Sequence, residues 1–304
     1  MTTCTCFASL VLAAIMVPAL AAEAHCPGNV ASVPSHFVDV HQIVLAVSIN
    51  HTGPYNFLLD SGTQITMIDP SLAGVLHLAT QGAAAVAAVG SNQSASFAQL
   101  DLVEAGSHAV AYQSVLVYNL RHLHPAGLPI QGILGEDFLG HFDMLIDNAR
   151  RLLCLDNSGA MRTAVKGPHI PLLATAQPDG GVALPGLLII AVRLSNAFRP
   201  VRLLLDSGMN SPILYNTSQY MVLQASNALP LHVTGVDGVQ RNLSALPPQD
   251  MKIGSLELRH VPFFHLADIQ GDARFKGFDG VLPSGLFRRV FVDHADRFAV
   301  LEPR

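Results

Sequence analysis

One unusual turn occurs twice in this chain. Starting at Phe57 the sequence reads "FLLDSGTQITMID", and starting at Arg202 it reads "RLLLDSGMNSPILY". Each apolar run drives into Asp-Ser-Gly, and the two acids, Asp60 and Asp206, lie 146 residues apart. The match extends on both sides. Upstream, "VLAVSI" from Val44 faces "IIAVRL" from Ile189, each followed by a polar turn and a second apolar run that ends in the acid. Downstream, "QGILGEDFLGHF" from Gln131 answers "DGVLPSGLFRRV" from Asp279, and "LIDNARRLLCLD" from Leu145 answers "FVDHADRFAVLE" from Phe291. Self-similarity in order along the chain marks a duplicated architecture, in which neither unit need hold a whole site.

The other apolar runs are four to eight residues long and alternate, as in "SASFAQLDLV" and in "MKIGSLELRHV", which turns at Gly254-Ser255. Alternation of period two is the mark of half-buried strands. With 24 Gly and 19 Pro scattered among them, the expected fold is all-β, mainly strands with short helices, in two lobes related by a pseudo-twofold axis. The segment after each Gly-apolar-apolar element is expected to make a short amphipathic stretch of about two helical turns, with Phe287–Arg289 on the exposed face of the last one. Asp147, Asp293 and Arg297 are expected to be structural, forming an ion pair at the base of the lobes.

Residues 1–24 have the build of a secretory signal peptide, an apolar run closing on small residues. The expected organisation is a signal at 1–24, a first lobe at 25–158, a turn-rich linker at 159–180 and a second lobe at 181–304. An exported, periplasmic or secreted, protein follows, with no stable membrane association after cleavage, and a monomer is expected. Cys26 and Cys154 would survive cleavage, and in an oxidising compartment they either bridge or remain two thiols.

With 13% charged residues and a net charge of -5, the chain lacks the clustered cations that phosphate contacts require, so nucleic acid is excluded as a partner. The nucleophile-elbow pattern Gly-x-Ser-x-Gly does not surround Ser61, which argues against a serine hydrolase. His122 and His124 form the only close histidine pair and have no acid or Cys at ligand spacing, so no metal or cofactor is expected.

If the axis passes between the two turns, Asp60 and Asp206 face one another. Like charges at hydrogen-bonding distance share one proton, which supplies an acid and a base together. On the "LLDSG" segments, "GILG" at 132–135, "GVLP" at 280–283 and the "LID" and "FVD" strands, the chain resembles the pepsin and retropepsin superfamily of aspartic peptidases. It is most similar to the bacterial retropepsin-like group, here in a duplicated single-chain form.

The resemblance implies an aspartic endopeptidase acting on an extended polypeptide. Asp60 and Asp206 would be its catalytic pair. Ser61 and Ser207 would reach across the axis to the other turn, Gly62 and Gly208 would donate to the carboxylates, and Thr63 would bond the outer oxygen of Asp60. Two lids would fold over substrate, one around Gly90 and Ser91 and the other around Gly235 and Gly238. Met209, where a hydroxyl would match Thr63, and Pro283, where a glycine would match Gly135, depart from the pattern. They leave open a relative that binds peptides without cutting them.

Overall fold

The computed structural model describes residues 25–38, 41–88, 91–175, 184–215, 231–235, 238–266 and 277–304, without side chains for 83–93. The expected signal segment at 1–24 lies outside them.

Strands dominate, and among the described residues the longest helix is Pro70–Val75, of 6 residues. Among the described residues three sheets divide the work. A six-stranded floor runs in the order Ser32–Val33, Leu152–Asp156, Asp143–Asp147, Phe287–Asp293, Phe298–Pro303, Ile170–Pro171. Its two central strands, one from each half, pair antiparallel with Leu145 opposite Phe291, so the halves meet at the middle of the floor. Asp143–Asp147 is buried at every residue, as its continuous apolar stretch requires of a strand covered on both faces.

Above the floor each half builds its own sheet, eight-stranded in lobe one and nine-stranded in lobe two. The acid-bearing strand of each lobe pairs in parallel with the Gly-apolar-apolar strand. Leu58 and Leu59 match Ile133 and Leu134, and Leu204, Leu205 and Asp206 match Val281, Leu282 and Pro283. A parallel pair needs a long crossover, and in both lobes the crossover contains a hairpin: Thr80–Ala88 with Ser91–Ala105, and Leu231–Thr234 with Gln240–Ala245. One buried apolar cluster joins Leu59, Leu134 and Phe138 of lobe one with Met144 and Val290 of the floor and Leu205 and Leu282 of lobe two. That shared core holds the two acid-bearing strand ends in a fixed relation.

The segment Ala160–Ala164 of the turn-rich stretch is a short helix, and Ile170–Pro171 joins the edge of the floor against Phe298 and Ala299. Cys26 and Cys154 are bonded, with Cα atoms 6.0 Å apart, fastening residue 26 to the floor strand Leu152–Asp156.

Two local expectations are corrected. Only a single 3-10 turn, Ser284–Leu286, follows "GVLP", and Phe287–Arg289 lies in the floor strand Phe287–Asp293 instead of on a helix. Phe287 is buried and Arg288 exposed, the ladder to Phe298–Pro303 is irregular between Phe287 and Arg289, and Val290 to Asp293 are all buried. Pairing with Asp143–Asp147 on one side and Phe298–Pro303 on the other satisfies backbone groups that two helical turns would leave open. The base ion pairs also use other partners. Asp147 meets Arg289 at 3.3 Å and Asp293 meets Arg162 at 2.6 Å. Arg297 donates to the carbonyls of Leu173 and Leu187.

Candidate active site

Asp60 follows directly on the last paired residue of its strand, its backbone N–H bonded to the Leu134 carbonyl at 3.1 Å, and Asp206 ends the matching strand. The turns that follow are cross-braced. Ser61 Oγ donates to the Leu205 carbonyl at 3.0 Å and accepts from the Ser207 N–H at 3.1 Å. Ser207 Oγ donates to the Leu59 carbonyl at 3.1 Å and accepts from the Ser61 N–H at 3.0 Å. All four bonds are buried, and each serine thereby satisfies two backbone groups of the opposite lobe.

The glycines bring the acids together. A Cβ on Gly62 would stand 2.5 Å from Asp206 Oδ2, and a Cβ on Gly208 would stand 2.9 Å from Asp60 Cγ. No other residue type admits the opposite carboxyl so close. The same glycines donate to their own acids, Gly62 N–H to Asp60 Oδ1 at 2.8 Å and Gly208 N–H to Asp206 Oδ1 at 2.6 Å. Asp60 and Asp206 are hydrogen-bonded to each other.

The support is unequal beyond that point. Thr63 Oγ1 donates to Asp60 Oδ2 at 2.8 Å. Met209 has no hydroxyl; its backbone N–H bonds Asp206, and its side chain packs into the apolar wall of lobe two. Burial pushes both carboxyls above the usual range, opposed at Asp60 by the bonds from Thr63 and Gly62. Asp206 goes much the further, because the Asp60 charge adds to its burial. The two carboxyls titrate as a unit, and the Thr63 hydroxyl, present at Asp60 and lacking at Asp206, biases the shared proton toward Asp206.

Pro283 opposes Asp206 in the parallel ladder, as Gly135 follows Leu134 in lobe one. Gly135 donates its N–H to Thr66 Oγ1 at 3.1 Å. Thr66 is matched in lobe two by Pro212: Leu116 N–H bonds the Thr66 carbonyl, and Phe264 N–H bonds the Pro212 carbonyl. Donor and acceptor are thus lost together, and Pro283 leaves no buried N–H unsatisfied. Neither Pro212 nor this compensation was visible from the motif.

A cleft of 380 Å³ opens over the pair. Leu58, Met67 and Ile133 line its lobe-one side, and Leu204, Tyr215 and Phe278 its lobe-two side. Tyr215 was not singled out by sequence reasoning; burial and the Asp206 charge keep its hydroxyl protonated. Val233, Thr234 and Gly235 of the lobe-two hairpin also face the cleft. Its turn is closed by Gly238 N–H to the Gly235 carbonyl at 2.9 Å, and Gly238 has a positive φ of 73°. A Cβ on Gly238 would lie 3.2 Å from the His122 ring, so this turn touches lobe one. In the other hairpin Ser91 pairs with Ala88, and Gly90 lies outside the described residues.

Residues 45–138, most of lobe one, match the family model described as aspartyl protease. No curated protein matches the chain in sequence. Among solved structures, an aspartic proteinase from Irpex lacteus superposes with a TM-score of 0.52 at 12% identity, covering 90% of this chain and 96% of its own. A retropepsin-like aspartic protease from Rickettsia conorii aligns with a TM-score of 0.29 at 19% identity, over 40% of this chain and 90% of its own. Residues 45–138 thus match the aspartyl protease model, and the fold of the chain as a whole is similar to that of an aspartic proteinase.

Proposed function

We propose that the protein is an aspartic endopeptidase that hydrolyses peptide bonds in extended segments. The observation that carries this reading is the facing pair Asp60–Asp206, half-buried and buried, each carboxyl lying against the glycine of the opposite turn and only Asp60 braced by a threonine hydroxyl. Asp60 takes a proton from a water held between the carboxyls as that water attacks the peptide carbonyl carbon. Asp206 gives its proton to the carbonyl oxygen. In the collapse of the tetrahedral species the C–N bond breaks, the nitrogen leaves with the proton gained by Asp60, and Asp206 recovers its own. An extended chain can pair by its backbone with the cleft and the lobe-two hairpin. The apolar walls on both sides of the pair support apolar side chains next to the scissile bond.

We place the active form outside the cytoplasm, with residues 1–24 removed and working as a monomer. The bond between Cys26 and Cys154 supports an oxidising compartment. A second reading, a relative that binds peptides without cleaving them, is favoured by Met209, which gives Asp206 no hydroxyl partner.

Incubating the purified chain with casein from about pH 3 to about pH 8 tests both. Cleavage by the wild type and none by Asp60→Asn supports the peptidase. Equal cleavage by the variant removes the pair from the mechanism. Binding of a statine-type peptide with no turnover at any pH supports the second reading.

A further inference from the structure

Behind the acid pair, on the side away from the cleft, lies a second pair of titratable groups. Glu136 opens the short helix Glu136–Leu139, and its backbone N–H bonds the carbonyl of Thr63 at 2.8 Å, the residue whose hydroxyl braces Asp60. The Glu136 side chain is buried, with Oε2 3.1 Å from His294 Nε2. His294 belongs to lobe two, in the turn between the last two floor strands, and its Nδ1 is 2.6 Å from the Phe142 carbonyl of lobe one. A carbonyl only accepts, so Nδ1 carries a hydrogen. The Nε2–Oε2 contact then requires one further proton, on either the imidazole or the carboxyl, and either placement leaves the pair electrically neutral. Oε1 finds no hydrogen-bond donor among the described residues.

The duplication supplies an internal control. Asn148 occupies the position of His294 in lobe one, after Asp147 as His294 follows Asp293. Its amide donates to the Ser284 and Phe287 carbonyls of lobe two at 3.1 and 3.0 Å. The fold therefore ties the lobes together at this place with a neutral amide in one copy. Only the copy behind Asp60 uses an acid and an imidazole.

We propose that Glu136 and His294 are positioning residues for the acid pair: they pin the Asp60 turn to lobe two and, through the charge on Glu136, set the alkaline limit of the pair's working range. This rests on the peptidase reading above. The Asp60 charge and Glu136 each raise the other's hold on a proton. The remaining charged groups facing them are Arg297 toward Glu136 and Asp143 toward His294, with Asp143 itself held by Arg162 at 3.2 Å. When the bridging proton leaves at rising pH, the pair becomes negative beside Asp60. The proton shared by Asp60 and Asp206 is then retained to higher pH.

Glu136→Gln removes that charge and keeps the shape. The alkaline limb of kcat/KM against pH should move down by roughly one pH unit, the size expected of one charge about ten ångströms away at an effective dielectric near 20. The double change Glu136→Ser with His294→Asn, which copies the neutral tie of the other lobe, should fold and show the same displacement. Carbon-13 NMR titration of the Asp60 and Asp206 carboxyls should show their upper titration shifted alike, and needs no turnover. An alkaline limb and carboxyl titration unmoved in folded variants overturn the proposal while leaving the peptidase reading intact. A wild type that cleaves nothing sinks that reading instead, and the carboxyl titration still decides this one.

Discussion

Pro212 and Pro283 occupy, in lobe two, the positions at which Thr66 and Gly135 are hydrogen-bonded in lobe one. Each lacks an N–H, and Pro283 is buried. Replacing Pro283 by Gly would restore a buried N–H with no hydroxyl to receive it, and would loosen the unfolded chain. The expected cost is about 1 to 3 kcal/mol, read from the urea midpoint. Adding Pro212→Thr should recover part of it, a positive coupling visible in a double-mutant cycle. Additive losses would show that the two sites are not partners.

Thr63 and Met209 make the acid pair lopsided, and the lopsidedness can be moved. Met209→Thr would offer Asp206 a hydroxyl donor, favouring its ionised form, so the alkaline limb of the pH–rate profile should shift to lower pH. Thr63→Val removes a donor from ionised Asp60, so the acid limb should shift to higher pH. Profiles of kcat/KM for the two variants check both directions.

The bond between Cys26 and Cys154 closes a span of 128 residues. Loop-closure entropy for a span of that length corresponds to roughly 4 to 5 kcal/mol, within the range of about 2 to 5 kcal/mol typical for loss of a native disulfide. Cys26→Ser with Cys154→Ser should lower Tm by several degrees in calorimetry, with little effect on the acid pair, since the bond lies beneath the floor and not in the cleft.

Stability should peak in mildly acidic solution. Burial raises the carboxyls of Asp60, Asp206 and Glu136, so the folded chain holds protons there that the unfolded chain has released. Their contribution is present below the ordinary carboxylate range and is lost as pH rises through the raised values. For His294 burial is outweighed by the Glu136 bond, so its contribution is present below the ordinary imidazole range and fades above it. Asp69 and Asp156 run the other way. Burial opposes, but the hydrogen bonds from Ser71 and Leu120, and from Ser158 and Met161, hold them low, so their contribution is lost as pH falls through the depressed values. Tm measured from about pH 3 to about pH 9 should be highest near pH 4 to 6. His294→Gln should flatten the decline between about pH 6.5 and about pH 8.

Much of this architecture could be read from the chain because the signals are local. Strand alternation in "MKIGSLELRHV", the Asp-Ser-Gly turns and the matched order of three anchors depend on a few neighbouring residues each, and duplication repeats every one of them. The pairing of Asp60 with Asp206 was inferable because a twofold repeat with one acid per copy has few other uses for them. What the sequence could not determine are relations between residues far apart. Whether Phe287–Arg289 becomes helix or strand depends on the floor strands waiting on either side. Whether Pro283 harms its loop depends on Pro212, and whether Glu136 is a surface acid or a buried partner of His294 depends on the lobes closing over it. Burial and hydrogen-bond partners are properties of packed surfaces, and packing is decided only when the two halves meet.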